Sequence, residues 1–171
     1  MPELLPENAQ SKKVLIPPDV TPDHVLGLAE ILFNLGGSID PMYIGDVIEE
    51  DIGILPHAID LAEALNIVKL ESGSIILTDF GVKIARSNNK VMKKLLRGKI
   101  QRLEPLGEII EVLKIKGSIP VEEYNKIIRR NYPSNDWKKA FRNILIWGAF
   151  LKIFRMSEDD RFILPIDLKD I

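Results

Sequence analysis

The residues that could do chemistry are few, and each has a structural reading that fits its spacing better. Thr78-Asp79-Phe80-Gly81 contains the Asp-Phe-Gly triplet of protein kinases. That chemistry also needs a glycine-rich loop, a strand lysine and a His-Arg-Asp loop, and the sequence has none of them. Asp79 is therefore expected to cap a helix and Phe80 to enter the core. Gly98-Lys99 is not a phosphate-binding loop: Lys93 stands where the first glycine belongs, and Ile100 where Ser or Thr would hold magnesium. His24 and His57 have no His, Asp or Glu partner at metal-ligand spacing on their own helices, and read as surface or capping residues. The acidic clusters Glu49-Glu50-Asp51 and Ser157–Asp160 fall in turn segments, where carboxylates are solvated rather than paired for acid–base work. With no cysteine, disulfides, thiolate zinc sites and cysteine nucleophiles are excluded. We expect no enzyme activity, no cofactor and no metal.

What remains is binding. Residues 1–82 carry three basic and fourteen acidic side chains, a net −11; residues 83–171 carry twenty and eleven, a net +9. Such asymmetry concerns partners: the second half could attract an anionic surface, or the halves could attract each other. Two basic groups are candidates for a nucleic-acid or protein interface. The first is the acid-free segment Lys83–Arg102, represented by Lys93, Lys94 and Arg97. The second is Arg129 and Arg130 with Lys138, Lys139, Arg142 and Asn143, where Arg142 or Asn143 could read bases. Ile146 on the same face favours a protein partner. The corresponding face in the first half, His57, Asp60, Glu63 and Ala64, is anionic and would repel phosphates.

The elements that must position these residues follow from periodicity. Ala58, Leu61, Ala62 and Leu65 form a one-sided helical stripe. Ile67–Leu70 and Ser74–Thr78 are β-branched runs around the turn residues Glu71-Ser72-Gly73, a hairpin. Upstream, Thr21 and Pro22 open a helix with Val25, Leu28, Leu32 and Leu35 buried, and Gly36-Gly37 end it. Ser38-Ile39 is a minimal strand, and Asp40-Pro41 caps a short helix over Met42–Glu50. Downstream, Trp137, Phe141, Ile144, Leu145 and Gly148 are expected to share the buried face of a late helix. A last hairpin pairs Phe150–Met156 with Arg161–Leu164.

The order recurs. Ser38-Ile39 and Ser118-Ile119 are 80 residues apart, Ile67–Leu70 and Phe150–Ile153 are 83 apart, and Ile75–Leu77 and Phe162–Leu164 are 87 apart. Offsets that grow only in turns indicate a duplicated unit. The expected fold is mainly α with small β-hairpins, a tandem winged-helix repeat. It divides into a flexible tail (1–20), unit 1 (22–82), a basic linker helix (83–103) that packs the units together, and unit 2 (104–165). No run is long enough to span a membrane, and the N-terminus has no signal-peptide core, so a soluble cytoplasmic protein is expected.

The runs VLGLAEILFNLGG, IGDVIEEDIGILPHAIDLAEALNIVKLESGSIILTDFGVKIA, LLRGKIQRLEPLGEIIEVLK and ILIWGAFLKIF carry a resemblance. Over roughly residues 18–165 the chain resembles the C-terminal AAA-associated domain, an accessory domain of the ATPase subunits of nitrate-, sulfonate- and taurine-type ABC importers. The resemblance implies a non-catalytic module that regulates or dimerises an ATPase; as a stand-alone chain it is expected to act on an ATPase in trans or as an independent regulator. A protein partner is expected, with homodimerisation and DNA binding as the alternatives.

Overall fold

The computed structural model describes residues 13–40, 42–43 and 53–171. Helices carry most of this chain, with small sheets between them. In order, the elements are β1 (Val14–Leu15), α1 (Pro22–Asn34), β2 (Ser38–Ile39), α2 (Leu55–Ala64), β3 (Val68–Glu71), β4 (Ser74–Leu77), α3 (Asp79–Arg86) and α4 (Asn89–Arg97). They are followed by β5 (Leu103–Glu104), α5 (Leu106–Lys116), β6 (Ile119–Pro120), α6 (Val121–Asn131), α7 (Trp137–Phe150), β7 (Phe154–Met156) and β8 (Phe162–Pro165).

Local chemistry accounts for the helix ends. At the start of α1, the His24 amide donates to Thr21 Oγ1 at 3.4 Å and the Thr21 amide donates to His24 Nδ1 at 3.0 Å. His24 is thus part of a reciprocal cap, with Pro22 in the first turn, where a missing N–H costs nothing. Gly36 and Gly37 take φ of 94° and 103° after the last turn. The cap of α3 is Thr78, whose Oγ1 accepts from the Gly81 amide at 2.9 Å. Asp79 is the first helical residue instead, placing its charge at the positive end of the helix. Phe80 is half-buried, with the Lys99 ammonium 4.7 Å from its ring centre. The basic segment breaks in two at Ser87, and Asn88 Oδ1 caps the second piece through the Val91 amide at 2.9 Å.

The two three-stranded sheets have the same order, β2-β4-β3 and β6-β8-β7, all antiparallel. In the first, Ser72 and Gly73 both take positive φ, at 53° and 79°, which suits the two-residue turn between Glu71 and Ser74. Ile39 faces Ile75 as Ile119 faces Ile163, so the 80-residue offset of the edge strands holds in register. The later offsets differ from those read in the sequence. The helix-to-strand junctions match at 86, not 83: Asn66 and Lys152 have φ of 62° and 58°. The Ile67 amide donates to the Ala62 carbonyl as the Ile153 amide does to that of Gly148. The reason is that α7 runs on through Phe150, so Phe150–Ile153 is helix end and turn rather than strand. The last strands match at 88, not 87.

Three further expectations meet the structure. The helix over Met42–Glu50 lies largely outside the described residues, as does the Glu49-Glu50-Asp51 cluster. Its start is described: Met42 and Tyr43 are helical, and the Met42 amide donates to Asp40 Oδ1 at 2.9 Å. The flexible tail is corrected over Lys13–Val20. There β1 pairs in parallel with β5, and Ile16 and Val20 are fully buried. Burying two such side chains contributes about 1.5–3 kcal/mol each, more than a tethered but loose segment could forgo. Finally, the buried side chains of both halves, from Ile16 to Ile163, form one continuous cluster.

Candidate partner interface

α7 is amphipathic, but its buried face is rotated from the one expected. Ala140, Asn143, Ile144, Trp147 and Gly148 are buried, while Trp137, Phe141 and Leu145 lie at the margin. Gly148 is required where the helix meets the last hairpin, because a Cβ there would lie 2.3 Å from the Phe154 ring. The exposed face consists of Lys138, Lys139, Arg142, Ile146 and Ala149. Three cations therefore flank an Ile146 that is 48% exposed.

Asn143 is not on that face. It is 4% exposed, and its amide donates to the carbonyls of Val20 at 2.8 Å and Pro17 at 3.2 Å. The base-reading role considered for Asn143 is thereby excluded. Trp147 Nε1 donates to the same Val20 carbonyl at 2.8 Å, and the Tyr132 hydroxyl to the Ile16 carbonyl at 2.5 Å. These three side chains seat residues 16–20. Burial raises the Tyr132 hydroxyl pKa well above the usual phenol range, so it stays a donor. The sequence carries a signal for this seat: Ala140, Asn143, Ile144 and Trp147 are spaced i, i+3, i+4, i+7.

The remaining basic candidates divide. Arg129 stacks on the Trp137 ring, 3.9 Å from guanidinium carbon to ring centre, and Lys138 lies 5.7 Å from the same ring. Arg130 is paired with Glu108. On the linker, Lys93 covers the Phe150 ring at 4.7 Å and Lys94 is exposed. Arg97 is internal. Its Nη1 donates to the carbonyls of Leu151 at 2.9 Å and Lys152 at 3.2 Å, and its Nη2 to those of Asp167 at 3.0 Å and Lys169 at 2.9 Å. A planar fork with several fixed donors fits this task, and a lysine would not. Arg97 thus ties the linker to the end of the second half and is not an anion site. The linker still exposes Lys83, Arg86, Lys90 and Lys94, so exposed cations lie on both the linker and α7, and only on α7 do they flank an exposed Ile146.

In the first half, α2 presents Pro56, His57, Asp60 and Glu63 to solvent, as its periodicity implies. His57 Nδ1 lies 3.4 Å from Asp19 Oδ1. The last hairpin carries an acidic tip, Glu158-Asp159-Asp160, beyond the basic helix. A wide cleft of about 930 Å³ beside α5 includes Lys13, Arg102, Glu104, Glu108, Glu111 and Asn131 in its lining. Two of its three carboxylates are already paired, Glu104 with Lys13 at 3.5 Å and Glu108 with Arg130. Among the described residues, no group of three or more metal-binding side chains is assembled, and no helix is long and apolar enough to cross a membrane.

The family model for the C-terminal AAA-associated domain matches residues 42–157. No curated protein and no solved structure matches the chain.

Proposed function

The chain belongs to the C-terminal AAA-associated domain family, and from that premise we propose that it is a non-catalytic regulatory module that binds an ABC-importer ATPase. We read each half as a winged-helix unit: helices closed by a three-stranded sheet of the same strand order. The binding surface in this reading is the exposed face of α7. The observation that carries it is the composition of that face, with Ile146 exposed among Lys138, Lys139 and Arg142. An exposed aliphatic side chain rimmed by charge suits a protein surface better than a phosphate backbone.

Two observations weigh against duplex DNA as the partner. Asn143 is committed to Val20, so one of the two side chains proposed to read bases is unavailable. The hairpin tip Glu158-Asp159-Asp160 would meet phosphates with like charge. In support of a non-enzymatic role, His24 serves in a helix cap and His57 sits on an exposed face beside Asp19.

The test is co-purification of the full chain with ABC-importer ATPase subunits encoded in the same genome, followed by ATPase assays. We expect a complex, no ATP hydrolysis by the chain alone, and an altered rate for the complexed ATPase. Failure to bind any such subunit, together with retention on duplex DNA, would overturn the proposal.

A further inference from the structure

Between α6 and α7 lies a groove of about 580 Å³ whose lining includes Val121, Asn125, Trp137, Phe141 and, at the edge, Lys138 and Arg142. Glu122 is the one acidic residue in that lining. The groove is preformed. The Tyr124 ring meets Phe141 edge-on at 4.9 Å, and the Tyr124 hydroxyl donates to the Phe141 carbonyl at 2.8 Å. Arg129 holds Trp137 from one face. Two partly exposed aromatic rings in a rigid wall are what an apolar anchor needs, since little ordering is left to do on binding.

A second feature is independent of shape. Lys138 and Arg142, with Lys139 exposed beside them, supply the charge that carboxylates complement.

The geometry points to this groove as a docking site for a short acidic segment of a partner protein, one bulky apolar side chain lying on Trp137 and Phe141 and carboxylates meeting Lys138 and Arg142. The inference rests on the partner-binding reading above and names the chemistry of that partner.

It is tested on the full chain with a fluorescent peptide of alternating Glu and Leu, a matched Glu/Ser peptide and a DNA duplex, following anisotropy and Trp137 emission. We expect saturable binding of the Glu/Leu peptide only, with a change in emission that is lost in Trp137→Phe. The double variant Lys138→Glu, Arg142→Glu should weaken it ~10-fold or more. No binding of the Glu/Leu peptide, equal binding of Glu/Ser, or duplex DNA taking its place would overturn the site. An ATPase complex that forms unchanged with the double variant would overturn the groove and the α7 face as the binding surface, and leave only the ATPase as partner standing. Absence of both peptide binding and any ATPase complex with the unaltered chain would remove the two together.

Discussion

The side-chain amide of Asn143 donates to the main-chain carbonyl of Val20 at 2.8 Å, across 123 positions of sequence. That carbonyl also accepts from Trp147 Nε1, so one backbone oxygen near the start of the chain is gripped twice by α7. Replacing Asn143 by Leu leaves one carbonyl relying on Trp147 and the Pro17 carbonyl without this donor. We expect a loss of about 1–3 kcal/mol in denaturant unfolding. Amide exchange should speed up first in residues 14–20. A binding role for Asn143 would instead leave stability unchanged.

Arg97 should behave as a fastener. It makes four hydrogen bonds to carbonyls on two separate segments. Arg97→Ala removes all of them at a site where the side chain is only 16% exposed. A destabilisation of about 2–4 kcal/mol is expected by equilibrium unfolding, with Arg97→Lys recovering less than half. Lys94→Ala, on the exposed face of the same helix, should change stability by less than ~0.5 kcal/mol. Equal effects at the two positions would show that the fork is not what holds the linker.

Glycine substitutions should split by sign. At Gly81 a Cβ would fall 2.1 Å from the Ile67 carbonyl oxygen, and at Gly148 it would fall 2.3 Å from the Phe154 ring. Both Gly→Ala changes should cost about 1–3 kcal/mol or prevent folding. Gly27 lies within α1 with nothing within 4 Å of an added Cβ. Gly27→Ala should raise stability by about 0.4–1 kcal/mol. Thermal unfolding of the three variants decides the matter.

The hairpin tip should respond to acid. Asp159 Oδ1 accepts from the Ser157 hydroxyl at 2.6 Å and from the Arg161 amide at 3.2 Å, and these bonds hold its pKa below the usual carboxylate value. A folded-state pKa below the unfolded one means that the stabilisation is present above the unfolded value. It is lost as pH falls through the folded one. NMR titration should show the Arg161 amide shifting together with the Asp159 carboxylate. An Asp159 that titrates without moving the Arg161 amide would contradict the arrangement.

The legible parts of this fold were local. Ser72-Gly73 between two β-branched runs specifies a tight hairpin, and Ser38-Ile39 against Ser118-Ile119 carries the correct offset, because each depends on a few adjacent residues. The errors arose where a distant segment decides the outcome. Asn143 looks solvent-facing only until Val20 is placed against it, and nothing near Val20 announces that contact. The wheel of α7 turned with it, since counting Trp137 and Leu145 as core rotates the face away from Trp147. Phe150–Leu151 is as apolar as a strand, and only the left-handed turn at Lys152 shows that the helix continues through it. Arg97 sits in a run of lysines and arginines, where composition alone cannot separate the one internal guanidinium from its exposed neighbours.

The most direct measurement is binding of the full chain to an ABC-importer ATPase subunit from the same genome, with and without Lys138→Glu, Arg142→Glu. We expect a complex with the unaltered chain, weakened at least ~10-fold by the double reversal, with the variant's Tm unchanged. No complex with any such ATPase, while the folded chain retards duplex DNA through the same two residues, would contradict the central claim.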